Sequence, residues 1–178
     1  MKPIAVHTLS SAALALAMTA VAAAPAAADM TKWKATAQKM GTFLPKIPAG
    51  WKATKLITSV SNSAFQKHIL ARRVYRTIKS EGVDTQINIF IQGSPGWKKK
   101  GWTFPCHADR TSKKCAKFEQ KTIGGHQFLI QKRRENLSYR THLDGGRITI
   151  LFAGKWAKAS HIEPFVKRIN YKSLAKLR

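Results

Sequence analysis

The sequence predicts an α+β fold: an antiparallel sheet of about six to seven strands, with N- and C-terminal helices packed on one face. Three observations point there. Apolar and polar residues alternate with period two in several segments. Gly-Gly and Asp-Gly-Gly breaks separate the later segments as hairpin turns do. Apolar residues recur at three- and four-residue steps only near the two ends of the mature chain.

Residues 1–28 are set apart from that fold. Lys2 is their one charged residue, Ala12–Ala24 is the most apolar stretch, and Ala26-Ala27-Ala28 precedes Asp29. This is the pattern of a signal peptide cut after Ala28, since a cut after Ala24 would put Pro25 first. The apolar run is Ala-rich and no basic stop-transfer cluster follows at once, which argues against a membrane anchor. No lipobox cysteine follows it. The expected destination is the periplasm or the exterior, and residues 29–178 are read as one α+β domain.

The first helix is predicted over 29–44. Asp29 or Thr31 can cap it, and Met30, Trp33, Ala37, Met40 and Leu44 share a face. Pro45 and Pro48 end it, and residues 51–60 read as a strand. Residues 68–79 and 83–91 form the clearest hairpin, turning at Ser80-Glu81-Gly82: Ile87, Ile89 and Ile91 take one face, Gln86, Asn88 and Phe90 the other. A stretch with little periodicity, 97–116, follows. Strands are then predicted over 117–123, 126–134, 137–143 and 147–153, the first two joined by Gly124-Gly125 and the last two by Asp144-Gly145-Gly146. In the final helix Ser160 is expected to cap and Glu163 to reach back, with Pro164 in the first turn and Ile162, Phe165, Val166 and Ile169 as the buried stripe. Leu174 and Leu177 mark a short helical turn after Asn170.

Cys106 and Cys115 stand nine positions apart. In an oxidising compartment an isolated pair is expected to bridge, removing roughly 2.5–3 kcal/mol of unfolded-state entropy. A zinc reading would recruit His107 and Asp109, but the paired short spacings of zinc sites are missing, and a redox pair would more often be C-x-x-C. The sequence calls for no metal and no cofactor.

Charge is the loudest functional signal. The chain holds 32 Lys+Arg against 8 Asp+Glu, a formal net charge of +24. The excess is spread along the chain. Such a field attracts anionic partners. The expected partner is an anionic polymer or membrane surface, or an acidic protein; a small-molecule substrate is not expected. Within the field, Trp97, Lys98, Lys99, Lys100, Trp102, Lys113, Lys114 and Lys117 interleave cations with aromatic rings, as contact with phosphates and bases or headgroups requires. The alternative is that the aromatics of this loop pack on the sheet. Arg72-Arg73 and Arg76, with Lys132-Arg133-Arg134, would form a basic stripe if their strands were neighbours.

No H-E-x-x-H, G-x-S-x-G or phosphate-cradling glycine loop occurs. The five histidines of residues 29–178 (His68, His107, His126, His142 and His161) leave open a small metal-independent phosphodiesterase or nuclease, with His107 or His126 paired with His142 and assisted by lysine. The leading expectation is a non-enzymatic exported protein that binds an anionic partner. A third reading is an envelope accessory subunit whose charge is incidental.

Ile123-Gly124-Gly125-His126, the strand Arg147–Ala153 closing in Gly154, and the end Ile169-Asn170-Tyr171-Lys172-Ser173-Leu174 resemble a loose group of small proteobacterial periplasmic proteins of unassigned function. Gly50-Trp51 and Ala71-Arg72-Arg73-Val74-Tyr75 fit the same pattern. The resemblance implies an exported α+β domain distantly similar to PsbP-like folds, and it assigns no catalytic residue. The Cys106–Cys115 loop and the high charge are not part of it.

Overall fold

Alternating strands with one apolar face must bury that face, and here helices from both ends of the chain cover it. The structure, a computed structural model, describes residues 24–62, 67–77, 84–93 and 118–177. Its elements are α1 (Ala24–Gly41), β1 (Trp51–Ala53), β2 (Ile57–Asn62), β3 (Lys67–Thr77), β4 (Gln86–Gly93), β5 (Glu119–Ile123), β6 (His126–Arg133), β7 (Asn136–Leu143), β8 (Ile148–Lys155), α2 (Ala159–Val166) and α3 (Tyr171–Ala175). No described helix is long and apolar enough to cross a membrane.

The sheet has eight strands rather than six to seven. Its order is β1-β3-β4-β8-β7-β6-β5, with β2 also on β3, and every pairing is antiparallel. The extra strand comes from the segment predicted as one strand over 51–60. Ala53 opposes Tyr75 and Ile57 opposes Arg72, so residues 54–56 face only residues 73–74. One residue is surplus, which is the geometry of a β-bulge. Thr54 holds it: its N–H donates to the Val74 carbonyl (2.9 Å), and its Oγ1 accepts from the Val74 N–H (3.2 Å).

Ile87, Ile89 and Ile91 of β4 are fully buried, as their alternation required. They join one core with Ile150 and Phe152 of β8, Ala37 and Met40 of α1, Ile162, Phe165 and Val166 of α2, and Tyr171 and Leu174 of α3. All three helices therefore lie on one face. The chain crosses from Ile123 to His126 through Gly124 and Gly125 at φ 59° and 79°, the left-handed pair that a two-residue hairpin turn needs.

Helix boundaries depart from expectation. α1 begins at Ala24, ahead of the predicted Ala28/Asp29 junction, and stops at Gly41; Phe43 and Leu44 then make tight turn bonds to Met40 and Gly41. At α2 the N-cap is Lys158, not Ser160. His161 Nδ1 accepts the Lys158 N–H (3.2 Å), the role predicted for Glu163. Glu163 instead accepts a hydrogen bond from Lys121 across to β5 (2.6 Å). Pro164 consequently sits in the second turn, where its missing N–H removes a helix bond to Ser160. Pro164 is tolerated there because the α2 stripe of Ile162, Phe165 and Val166 is fully buried.

All three tyrosines of the chain are core groups. The Tyr75 hydroxyl donates to the Pro45 carbonyl (2.6 Å), fixing the connector after α1, and the Tyr171 hydroxyl donates to the Val166 carbonyl (2.7 Å). Burial raises the pKa of Tyr75, against the pull of Arg73, and raises that of Tyr171. Burial, with the charges of Glu163 and Glu119, pushes Tyr139 up to about 12. The fold thus favours the neutral phenol, and this stabilisation is lost as pH climbs from the ordinary value of about 10 through the raised folded values. Tyrosinate absorbance should stay flat through about pH 10, where exposed tyrosines are half ionised, and then rise together with loss of circular dichroism. Half-ionisation near pH 10 in folded protein would show that these hydroxyls are not buried.

Candidate functional site

Strand register carries the site, because residues directly opposed across antiparallel strands point to the same face. Lys52 opposes Arg76, Arg76 opposes Gln86, Gln86 opposes Lys155, Lys155 opposes Asn136, and Asn136 opposes Arg133. These six side chains form one rank across six strands, on the face turned away from the helices. All but Gln86 are exposed. Five inter-strand steps make the rank about 24 Å long. The stripe expected if the strands of Arg72-Arg73-Arg76 and Lys132-Arg133-Arg134 were neighbours does not form, because β4, β8 and β7 separate β3 from β6. The register instead lines up Arg76 and Arg133 in a longer rank with Lys52 and Lys155. Sequence reasoning had no signal for those two lysines, since neither belongs to a basic run.

The basic triplets are divided by the same parity. Arg72 and Arg76 take the second face, while Arg73 opposes Ile89 and takes the helix face. Further along the second face, Arg72 lies over the Phe90 ring (5.2 Å to its centroid) and donates to Asn88 Oδ1 (3.2 Å). Phe90 opposes Leu151, and Leu151 opposes Arg140, so two guanidinium groups flank an apolar pair. Among the described residues no strand places an Asp or Glu on this face. Among the described acids, Asp84 lies just before β4 and Glu135 in the β6–β7 turn.

The same end of the sheet is basic on its helix side. Beneath it lies a cavity of about 720 Å³, lined among others by Lys121, Lys132, Arg134, Lys158, Tyr139 and Trp156. Glu119 and Glu135 also reach it. The Lys121–Glu163 pair sits at its side, and this hydrogen bond holds the Glu163 carboxyl below its ordinary value. The Tyr139 hydroxyl contacts the same Glu163 oxygen at 3.5 Å.

Trp156 sets this cavity apart. It lies just past β8 with φ at 52°, the left-handed region, at a cost of roughly 1–2 kcal/mol for a residue with a Cβ. Its N–H donates to the Glu135 carbonyl (2.7 Å) and its carbonyl accepts from Thr85 Oγ1 (3.4 Å), which hold the conformation. Its side chain remains 47% exposed, with Lys155 Nζ 4.1 Å from the ring centroid.

No family model, curated protein or solved structure matches this chain. The site must be read from its own geometry.

The loop residues singled out in the sequence, Trp97, Lys98, Lys99, Lys100, Trp102, Lys113, Lys114 and Lys117, lie outside the described residues, as do Cys106, Cys115 and His107. The other histidines are placed. His126 stacks on Tyr171 (4.4 Å between centroids) on the helix face. His142 lies on the second face, its Nδ1 2.9 Å from Thr149 Oγ1. The sheet separates the two, so His126 and His142 do not form an acid–base pair. His161 serves the α2 cap, and His68 Nε2 lies 3.5 Å from Ser59 Oγ. Among the described residues no three His, Cys, Asp or Glu side chains cluster to hold a metal.

Proposed function

We propose that the protein is an exported, non-enzymatic basic protein whose second sheet face binds an anionic polymer of the envelope or its surroundings. The observation that carries this reading is the rank Lys52, Arg76, Lys155 and Arg133 on a face whose described strands bear no acid. Cations fixed on a rigid sheet lose less conformational freedom on contact than cations on a tail, and their spacing follows the strands. The segment 97–117, with its lysines and tryptophans, adds a second contact region in this proposal, and a Cys106–Cys115 bridge would limit its entropy loss. Export rests on the signal-peptide pattern of residues 1–28.

The test is capture from a periplasmic extract across a salt gradient. An anionic polymer or membrane component bound at low salt and released at high salt is the expected result. A single protein retained through high salt would replace this reading with that of an accessory subunit whose charge is incidental.

A further inference from the structure

We infer that the cavity beside Trp156 is a binding site for an acidic saccharide, a polyhydroxylated ring carrying a carboxylate. This goes beyond polymer binding by the second face and stands whether or not that face binds anything.

Three observations converge. The first is charge. Lys121 is engaged by Glu163, which leaves Lys132, Arg134 and Lys158 against Glu119 and Glu135. With Lys155 Nζ over the Trp156 ring, the site keeps a modest positive excess, which suits the dispersed charge of one carboxylate per sugar ring better than the dense charge of a polyphosphate. The second is the donor and acceptor set. Ammonium and guanidinium groups only donate and carboxylates only accept. A ring bearing several hydroxyls, each both donor and acceptor, satisfies both kinds at once; a bare anion leaves Glu119 and Glu135 unanswered. The third is Trp156. Glycine would hold its left-handed backbone and the same two backbone hydrogen bonds without strain, yet a half-exposed indole stands there. Strain kept at an exposed aromatic that lines a cavity marks a site where the ring itself is used. Lys155 Nζ lies over one face of the indole, and the rest of the half-exposed ring offers an apolar surface to the C–H face of a sugar. Tyr139, held neutral by burial, supplies a further polar wall.

The ligand chemistry is tested with tetragalacturonate on the full mature protein, read by calorimetry and tryptophan fluorescence at physiological ionic strength. The controls are maltotetraose, which has hydroxyls without charge, and dAMP, which has a stacking base and a phosphate. Tetragalacturonate should bind and perturb the fluorescence, with both controls at least about tenfold weaker. Trp156→Gly should lose about tenfold or more in affinity while unfolding at the same temperature as the parent or higher, because the strain is relieved. The pair Lys132→Ala and Arg134→Ala should also weaken binding, whereas the pair Lys34→Gln and Lys39→Gln, exposed on α1 and part of neither site, should leave it within about twofold. The inference falls if Trp156→Gly binds like the parent or is clearly destabilised, the latter making the ring a structural prop. It falls equally if maltotetraose binds as well, if dAMP alone binds, or if nothing binds. Salt-sensitive capture of a polymer without tetragalacturonate binding removes this inference and leaves the proposed function intact.

Discussion

Neutralising Arg76, Lys155 and Arg133 together to Gln is expected to weaken binding to a polyanion far more than removing three charges from the opposite side. The three cations stand in one rank at intervals of two strands, about 10 Å apart. One duplex or polysaccharide laid across the strands can meet all three. Duplex DNA is the reference probe because its charge spacing is uniform, and each phosphate contact contributes about 0.9 to the slope of log affinity against log salt. Losing three contacts should flatten that slope by up to about 2.7. The comparison is Lys34, Lys39 and Lys46, all exposed on α1 and the connector after it. Their removal lowers the net charge equally, so it weakens the long-range field equally, without touching the rank. Neutralising Lys98, Lys99 and Lys100 is the matched test of the 97–117 segment, and Trp102→Ala should weaken binding there with little change in slope. If all the triple variants lose affinity and slope equally, net charge alone does the binding and neither region is a site.

Phe165→Ala should cost about 3–5 kcal/mol, a large part of the stability of a domain this size. Phe165 is fully buried and joins three elements. Its ring meets Trp51 of β1 edge-on (5.0 Å, 85°) and tilts against Tyr75 of β3 (4.8 Å, 59°). Through Tyr75 and Pro45 the same cluster anchors the connector after α1. Gly154 on β8 lets α2 sit close, since a Cβ there would lie 2.5 Å from Ala157 Cβ and 3.0 Å from Ile162 Cδ1. Truncating Phe165 therefore opens a cavity in a region too tightly bound to collapse, and the melting temperature should fall by roughly 10 °C. Ile47→Ala is the control: its side chain is 52% exposed, and its loss should move stability by no more than about 0.5 kcal/mol. Equal melting temperatures for the two variants would mean that α2 does not dock on β1 and β3 in solution.

Much of the fold was legible because its signals are local. The isoleucines of β4 alternate with polar residues whatever they pair with. Gly124-Gly125 turns because only glycine takes two left-handed residues at no cost. The apolar stripe of α2 repeats every three to four residues. Each of these can be read within ten residues. The caps were less legible, since Ser160 and Glu163 match a motif that Lys158 and His161 fulfil two positions earlier, and Glu163 is drawn off by Lys121, forty-two residues away.

By itself, then, the sequence determined the alternation of strands, the turns between them, the apolar faces of the helices and the sign of the charge. Tertiary structure alone decided the strand order that puts β4 beside β8, the bulge that splits β1 from β2, and the register that aligns Lys52 with Arg133. It also decided that Arg72 and Arg73 part to opposite faces and that His126 and His142 cannot meet. The physical reason is the range of the forces involved. Periodicity and turn chemistry act between residues near in the chain, whereas pairing and register are set by burying one shared face, and a shift of a single residue would send every side chain of a strand to the other side. The left-handed Trp156 belongs to that second class, because a hydrogen bond from Thr85 and another to the Glu135 carbonyl, both brought in by other strands, hold a conformation its own sequence disfavours.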